Sequence, residues 1–433
     1  METPILIVFL IGYSLIALEH PLKVDKASSA LLTGVICWTL YALSGSEGHA
    51  NEDLLNHLQE IAGILFFLLG AMTIVELIDT HDGFAFLIEK IKTKNKIKLL
   101  WLTGVITFFL SAMLDNLTTS IVMISLLKKV IEARETRWFY AGVVVIAANA
   151  GGAWSPIGDM TTTMLWIKGQ LPHSIDIIMN LFIPSLACLV VPLIILSLKL
   201  KGDVPSPHEQ SMVYTWVTPC SIFERNLVFM MGLAGLLFVP VFKAVVHLPP
   251  FMGMMFSLGV IWMTTEFIHR NKPLDEKGPL SVLAVLRKID SSAILFFLGI
   301  LLAVSALEVV GLLGLVAAIL DRTFTGSQGI YIITMLIGAL SAIVDNVPLV
   351  AAAQGMYAVT ADGGLFAPGG IFWLFLAYCA GTGGSALIIG SAAGVAVMGL
   401  ERMDFIWYTK KITLLAIVGY LSGAVVFILM TSM

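Results

Sequence analysis

The sequence predicts an all-α polytopic membrane protein made of two inverted-topology repeats. Each repeat holds a re-entrant hairpin and a broken transmembrane helix, with about ten full crossings in all. Three observations carry this. Of 433 residues, 58 % are hydrophobic and only 12 % charged, with a mean hydropathy of +0.94, too apolar for a soluble domain to solvate its own surface. Lysines and arginines fall in separated clusters, as cytoplasmic loops do. Finally, SAMLDN at 111–116 recurs as SAIVDN at 341–346, displaced by 230 positions.

A spanning helix needs about 20 apolar residues. Long apolar segments run near 4–18, 27–44, 60–78, 99–130, 138–168, 176–198, 226–246, 251–268, 290–310, 328–359, 368–400 and 412–431. The first lacks a basic n-region and a small-residue cleavage site, so it is expected to be a retained helix. With the N-terminus outside, Lys23 and Lys26 lie inside, 45–60 outside, and Lys90, Lys92, Lys94, Lys96 and Lys98 inside. Lys128, Lys129, Arg134 and Arg137 follow segment 99–130 on that same side. That segment therefore enters and returns on one face, with Asp115 and Asn116 near its tip. Segment 138–168 crosses outward and 176–198 crosses back. The pair 226–246 and 251–268 returns to Arg270, Lys272, Lys277, Arg287 and Lys288, and 290–310 leads outside. Segment 328–359, flanked by Arg322 and the base-free 360–369, dips in from outside as a second hairpin. The last two crossings turn around Arg402, Lys410 and Lys411, which leaves both termini outside. Of the 25 bases only Lys168, Lys243 and Arg322 then lie outside.

The repeat has further support. ILFFL at 64–68 returns at 294–298 with the same displacement, and GGAWSPIGD at 151–159 aligns with GGSALIIGS at 383–391. Each half has three crossings, a hairpin, an interrupted crossing and a final crossing, and an odd number of crossings inverts the second half. This is the plan of secondary transporters, whose sites lie near the midplane where interrupted helices meet. The units are scaffold helices in 1–97, a transport part in 98–200, a linker over 201–222, scaffold helices in 223–327 and a transport part in 328–433. The amphipathic stretch 82–98 reads as a helix on the inner surface.

No soluble catalytic domain remains. The connections 45–60, 201–222 and 270–289 are too short to fold alone, and a net charge of −4 points to no nucleic-acid partner. Four scattered cysteines indicate neither disulfides nor a thiolate metal site, and the eight histidines fall at segment ends or in loops. Buried chemistry must rest on carboxylates, amides and hydroxyls, with no cofactor. The intramembrane acids are Glu76, Asp115, Asp159, Glu308 and Asp345, without a matching intramembrane base. Each costs about 2.5–3.5 kcal/mol at a helix centre, so wet or paired surroundings are implied. Glycines and Pro156 break the crossing at 149–159, and Gly381–Ser385 with Gly390 and Gly394 break the other. Asp115, Asp159 and Asp345, with Asn116, Thr118, Asn149, Ser155, Thr161, Thr162, Ser341 and Asn346, make an oxygen-rich, negative site suited to a hard cation. Glu76, Glu308, Thr382 and Ser385 are secondary candidates. The bland alternative is that an Asp-Asn pair at a hairpin tip only caps the returning helix. Capping needs no charge, however, and Asn or Ser would do it at lower desolvation cost. Glu76 and Glu308, near segment ends, can simply reach water.

These residues resemble a known family. LDNLTT at 114–119, VDNVP at 344–348, NAGGAWSPIGDMTT at 149–162 and GTGGSA at 381–386 look like the NhaD-type sodium/proton antiporters. That family belongs to the ion transporter superfamily, which also holds arsenite permeases and dicarboxylate carriers. The likeness covers essentially the whole chain, and GGAWSPIGDMTT is its most specific part. It implies exchange of Na+ or Li+ for H+ across a bacterial inner membrane by a protein that dimerises through its scaffold helices. It also implies that Asp115, Asn149, Asp159, Thr161, Ser341, Asp345 and Asn346 carry cation and proton. Ser391 stands where the repeat would put a second Asp159, so the halves carry unequal charge. If Asp115 and Asp159 approach one another, they would share the exchanged proton.

Other readings compete. An arsenite or dicarboxylate permease shares the architecture, but two aspartates at the tips argue against an anion. A passive cation channel needs the same oxygens. An intramembrane aspartyl protease would use Ile157-Gly158-Asp159 with Asp115, but Pro156 stands where its motif places glycine, and the second DN pair has no use in it.

Overall fold

Apolar runs of this length leave the backbone no partner but itself, and helices satisfy every N–H and C=O internally. In the computed structural model, residues 2–44, 49–84, 93, 95–200, 202–203, 220–361 and 363–432 are described, and no strand occurs among them. The first half comprises α1 (Glu2–Ala17), a one-turn α2 (Glu19–Leu22), α3 (Lys26–Leu43), α4 (Ala50–Thr80), α5 (Lys96–Ser111), α6 (Asn116–Val130), α7 (Arg134–Ala153), α8 (Met160–Ile167) and α9 (Ser174–Lys199). The second opens with α10 (Ile222–Val246), α11 (Pro250–His269), two short helices α12 (Leu274–Leu280) and α13 (Val282–Leu286), α14 (Ser291–Val309) and α15 (Leu312–Thr323). It ends with α16 (Gly326–Leu340), α17 (Asn346–Met356), α18 (Ile371–Gly383), α19 (Ala392–Glu401), α20 (Phe405–Lys411) and α21 (Thr413–Ser432).

Seven of these helices, α3, α4, α9, α10, α11, α14 and α21, are long and apolar enough to cross a membrane unaided. The polytopic all-α class is therefore what folds. The predicted hairpins are α5–α6, turning at 112–115, and α16–α17, turning at 341–345. Sixteen and fifteen residues make α5 and α6 about 22–24 Å long, short of a bilayer core of about 30 Å. The predicted breaks fall between α7 and α8 at 154–159 and between α18 and α19 at 384–391.

Three expectations about connections change. The stretch 45–60 is not all loop, because α4 starts at Ala50; its 31 residues extend about 46 Å, beyond the lipid, carrying Glu52 and Asp53 on its first turn. Helix α15 lies where a loop was expected; a single apolar stripe with Asp321 and Arg322 at its end lacks the continuous hydropathy by which spans are read. The connection 270–289 folds into α12 and α13. Most of 82–98 and of the linker 201–222 lies outside the described residues.

Local chemistry sets the helix starts. Asp25 accepts from Ala27 N–H at 2.8 Å to open α3, Asp290 from Ala293 N–H at 3.0 Å to open α14, and Ser221 with Glu224 forms a capping box at α10. Helices α3 and α14 approach closely at Gly34 and Gly299, where small residues let backbones touch. Helix α9 packs on α21, and Tyr378 of α18 donates to the Tyr420 carbonyl at 2.8 Å.

The hairpins dock on the broken helices through one contact set that occurs twice. Ser111 Oγ donates to the Ala148 carbonyl at 2.6 Å, and Ser341 Oγ to the Ala380 carbonyl at 3.0 Å. Gly151 of α7 faces the Phe108 backbone of α5, and Gly383 of α18 faces that of Gly338 in α16. Gly158 lies on Ser111 and Ala112 just as Gly390 lies on Ser341 and Ala342. At one end of the molecule a buried ion pair joins the halves: Arg137 Nε donates to both Glu401 carboxylate oxygens at 2.9 Å. Arg134 and Lys128 bond the last carbonyls of α19 beside it, where helix C-termini favour cations.

Gly151→Ala should therefore destabilise the fold sharply, since a methyl there would overlap the Phe108 carbonyl, whereas Gly259→Ala meets open space. Thermal unfolding in detergent checks this, with a fall in Tm expected for the first variant alone. Arg137→Ala should cost about 3–5 kcal/mol, because it strands the buried Glu401 carboxylate, and the same measurement reads it.

Candidate functional site

Four half-helices begin at one place. Asp115 is the N-cap of α6, Asp159 of α8, Asp345 of α17 and Ser391 of α19. Helix N-termini present unpaired N–H groups and a positive field, which explains how uncompensated carboxylates survive there.

Asp159 is the centre, 1 % exposed. Its Oδ1 accepts from Thr161 N–H at 3.1 Å. Asn346, from the second hairpin tip, places its amide nitrogen 3.4 Å from both carboxylate oxygens, and Asn116, from the first tip, places its own 3.4 Å from Oδ2. Such contacts are at the long limit of hydrogen bonding. Gly381 of α18 closes the remaining side, where a side chain would press on Oδ2. Among the described residues no lysine or arginine contacts Asp159. Asn149 ties the halves together: its Oδ1 accepts from Asn116 at 3.1 Å, and its amide donates to Ser385 Oγ and Ser391 Oγ, both at 2.9 Å.

Asp115 turns both oxygens to Thr118, accepting from its N–H at 2.7 Å and its hydroxyl at 2.8 Å. Its backbone sits at φ 150°, ψ 165°, a region essentially reserved for glycine, at a cost of order 1–3 kcal/mol. The capping reading is thus realised at the first tip by Asp115, and Asp159 at the break caps α8 as well. Asp159, however, spends one oxygen on its cap and leaves the other to the asparagines. Asp115 and Asp159 make no direct hydrogen bond: Asp115 is bonded to Thr118, and Asn116, its neighbour in sequence, approaches Asp159. Asp345 makes no side-chain cap. Lys26, at the start of α3, lies 3.5 Å from its Oδ2 and also over the Phe296 ring. This corrects the expectation that the acids have no base to neutralise them.

The other candidates divide. Thr161 Oγ1 is buried beside Asp159 without a well-formed hydrogen bond, while Thr162 Oγ1 donates to the Ala153 carbonyl across the break at 3.2 Å. Ser155 accepts from Ile157 N–H at 3.4 Å, and Ser341 and Thr382 spend their hydroxyls on backbone carbonyls. Glu76 and Glu308 are not brought to the site. Glu76 lies near Thr80 and Lys288 at the end of α4, and Glu308 packs against Gly355 of α17. Two participants were not among the candidates. Ser391 was signalled by its alignment with Asp159, whereas Lys26 had no local signal, being one base among those marking a loop.

A cavity of about 360 Å³ leads to this region, lined by Tyr13, Glu19, Lys26, Asp345, Ser391 and Phe405 among others. A larger hollow of about 540 Å³ along α11 touches none of these residues.

Comparison with known proteins agrees with this architecture. The citrate transporter family model matches residues 3–377. Sodium/proton antiporter 2 of Arabidopsis thaliana is 44 % identical over 98 % of this chain and 98 % of its own length, and sodium/proton antiporter 1 of the same plant is 46 % identical over 96 % and 70 %. The Na(+)/H(+) antiporter NhaD of Vibrio cholerae is 33 % identical over 98 % of this chain and 91 % of its own. The chain is a multi-pass membrane protein that belongs to the citrate transporter family and, within it, to the NhaD-type group of sodium/proton antiporters.

Proposed function

We propose that this chain is a secondary antiporter that exchanges Na+ or Li+ for H+, with Asp159 as the carboxylate for which the two compete. The observation that carries this reading is a buried carboxylate approached by two long amide contacts, with no base touching it among the described residues. One carboxylate can hold a proton or an alkali cation but not both. Competition for it is the coupling, and it is reciprocal. Asn116 and Asn346 suit both states. An amide that donates to the empty carboxylate needs only to turn about its last bond to offer a carbonyl oxygen to a cation. Asn149, Ser385, Ser391 and Thr161 would complete an oxygen shell, and Asp115 and Asp345 would draw the cation inward. No resident cofactor enters this cycle.

Alternating access would come from movement of the hairpins and broken helices against the scaffold, in two repeats of opposite orientation. The cavity at Asp345 opens beside Glu19, Lys26 and Phe405, which the charge pattern places on the cytoplasmic side, so it would be the inner path. Lys26 would act there as a tethered cation that holds Asp345 until Na+ replaces it. The remaining parts of the reading are a bacterial inner-membrane location, both termini outside, and a homodimer through the scaffold helices. The exposed apolar faces of α10 and α11, including Met230, Phe238, Phe256 and Met263, suit either lipid or a second copy.

Four helix N-termini and Lys26 also favour anions, and the family model bears the name of citrate. That second reading requires a polyanion to sit among three carboxylates, and uptake of labelled citrate by the same vesicles decides between the two.

In proteoliposomes carrying a pH dye, addition of Na+ or Li+ should move protons through the wild type. Asp159→Asn should reduce this to the level of empty vesicles, while Glu76→Gln retains it. Exchange by Asp159→Asn, or Na+ flux with no proton movement in the wild type, would refute the proposal. With one proton competing, the apparent KM for Na+ should rise up to about tenfold per pH unit on acidification, at constant maximal rate. Lys26→Gln should lower that KM about 2- to 5-fold, since a part-exposed pair of this kind is worth about 0.5–1 kcal/mol.

A further inference from the structure

A second cluster of chemistry-bearing side chains lies away from the acids. It sits where the end of α4, the start of α10 and the end of α11 meet. His81 caps the C-terminus of α4, Cys220 immediately precedes the N-cap of α10, and His269 is the last residue of α11. One ligand atom from each lies within 4.8 Å of the other two. Both imidazoles are buried, His81 at 0 % and His269 at 2 % exposure, and their rings stack with centroids 5.2 Å apart.

Their hydrogen bonding is incomplete as it stands. His81 Nδ1 is 2.7 Å from the Leu77 carbonyl, which can only accept, so that nitrogen carries the proton and Nε2 carries the lone pair. His269 Nε2 lies 3.0 Å from it and must then be the donor, which leaves His269 Nδ1 as a bare lone pair. That atom is buried without a hydrogen-bond partner among the described residues, and Glu224 Oε1, itself an acceptor, stands 3.8 Å from it. A buried acceptor facing a carboxylate is an unfavourable arrangement.

A cation would resolve it. With His269 ligating through Nε2, its proton moves to Nδ1, and the ring then donates toward Glu224. The result is a carboxylate–histidine–metal relay, paired with the carbonyl–histidine relay already made by Leu77 and His81. Glu224 is held in place by Lys272 Nζ at 2.7 Å and by Ser221 N–H at 2.7 Å. Around tetrahedral zinc, with Zn–N of about 2.0–2.1 Å, two nitrogens stand about 3.3 Å apart, close to the 3.0 Å found between the imidazoles. Two imidazoles and a thiol are the donors a borderline-soft ion selects, in contrast to the hard oxygens around Asp159.

We propose that His81, Cys220 and His269 form a zinc-type divalent metal site that fastens the first-half scaffold helix α4 to α10 and α11 of the second half. Binding converts the Cys220 thiol to a thiolate, releasing one proton to solvent, and leaves a fourth position for water. The site is independent of the antiport reading, because it shares no residue with the acid cluster.

The test uses the full chain in detergent, titrated with Co2+ and then Zn2+. The wild type should bind one Co2+ per chain, with a thiolate-to-metal charge-transfer band in the near ultraviolet that Zn2+ displaces. Cys220→Ser should remove the band, His81→Gln should weaken Zn2+ binding at least about 100-fold, and Glu224→Gln about 10- to 100-fold. Because a variant can fail through misfolding, alkylation of Cys220 is followed by peptide mass mapping in the unmutated protein, where Zn2+ should protect it. Lack of a thiolate band in the wild type, unchanged affinity in Cys220→Ser, or no protection of Cys220 each overturns the proposal.

Discussion

The structure depends on one constraint: a carboxylate at 1 % exposure has to be accommodated with no directly paired base among the described residues. The solution is geometric. Helices start at Asp115, Asp159, Asp345 and Ser391, so the positive ends of four backbone dipoles face one small volume. A continuous helix through this region would present no free N–H groups, and an isolated aspartate in it would be intolerable. The hairpins and breaks are therefore the means by which an apolar chain carries acid chemistry at all.

Bringing four helix starts together requires backbones to approach closer than side chains normally allow. Gly151 and Gly383 remove the obstacle on the α7 and α18 faces, and Ser111 and Ser341 bond across each gap. The duplication of these contacts at matching positions explains why two hairpin tips arrive at one carboxylate. It also explains why Asn116 and Asn346, one from each half, make equivalent 3.4 Å approaches to Asp159.

Much of this was legible in the sequence, and the reason is physical. Glycine, proline and polar residues inside an apolar run cannot be lipid-facing helix, so breaks were expected within 149–159 and at 381–385 with Gly390 and Gly394, and the clustering of bases marked both hairpins. The DN pairs stood out for the same reason. What sequence could not supply was contact between distant segments. Lys26 reaches Asp345 across most of the chain, and His81 meets His269 over 188 positions, with no local pattern to mark either. Helix α15 escaped because a short amphipathic helix is not detected by span length, and the polar first turns of α4 because a helix can continue past the lipid it crosses. The Asp115–Asp159 pairing was a conditional expectation, and the hydrogen bonds that the two acids make run to Thr118, Thr161 and the asparagines. Spacing showed that both acids lie at tips or breaks, but not that the Asn116 amide would reach Asp159.

The two halves share a backbone plan but differ in charge, and the differences are confined to the centre. Where the first half has Asp159 the second has Ser391, and both hydrogen-bond through Asn149 or its partners to the same network. At the tips, Asp115 is bonded by Thr118, while Asp345 faces Lys26. Two aspartates at the breaks would repel across a gap spanned by single amides, and the charge would have to be relieved by a second cation or a second base. Serine at 391 removes that repulsion and still caps α19 through Gly394 N–H at 3.2 Å. The fold thus keeps the positive field of four helix starts while placing three carboxylates, and not four, within it. Such a field stabilises negative charge at the helix starts, and on the proposed reading proton and alkali ion compete for it at Asp159.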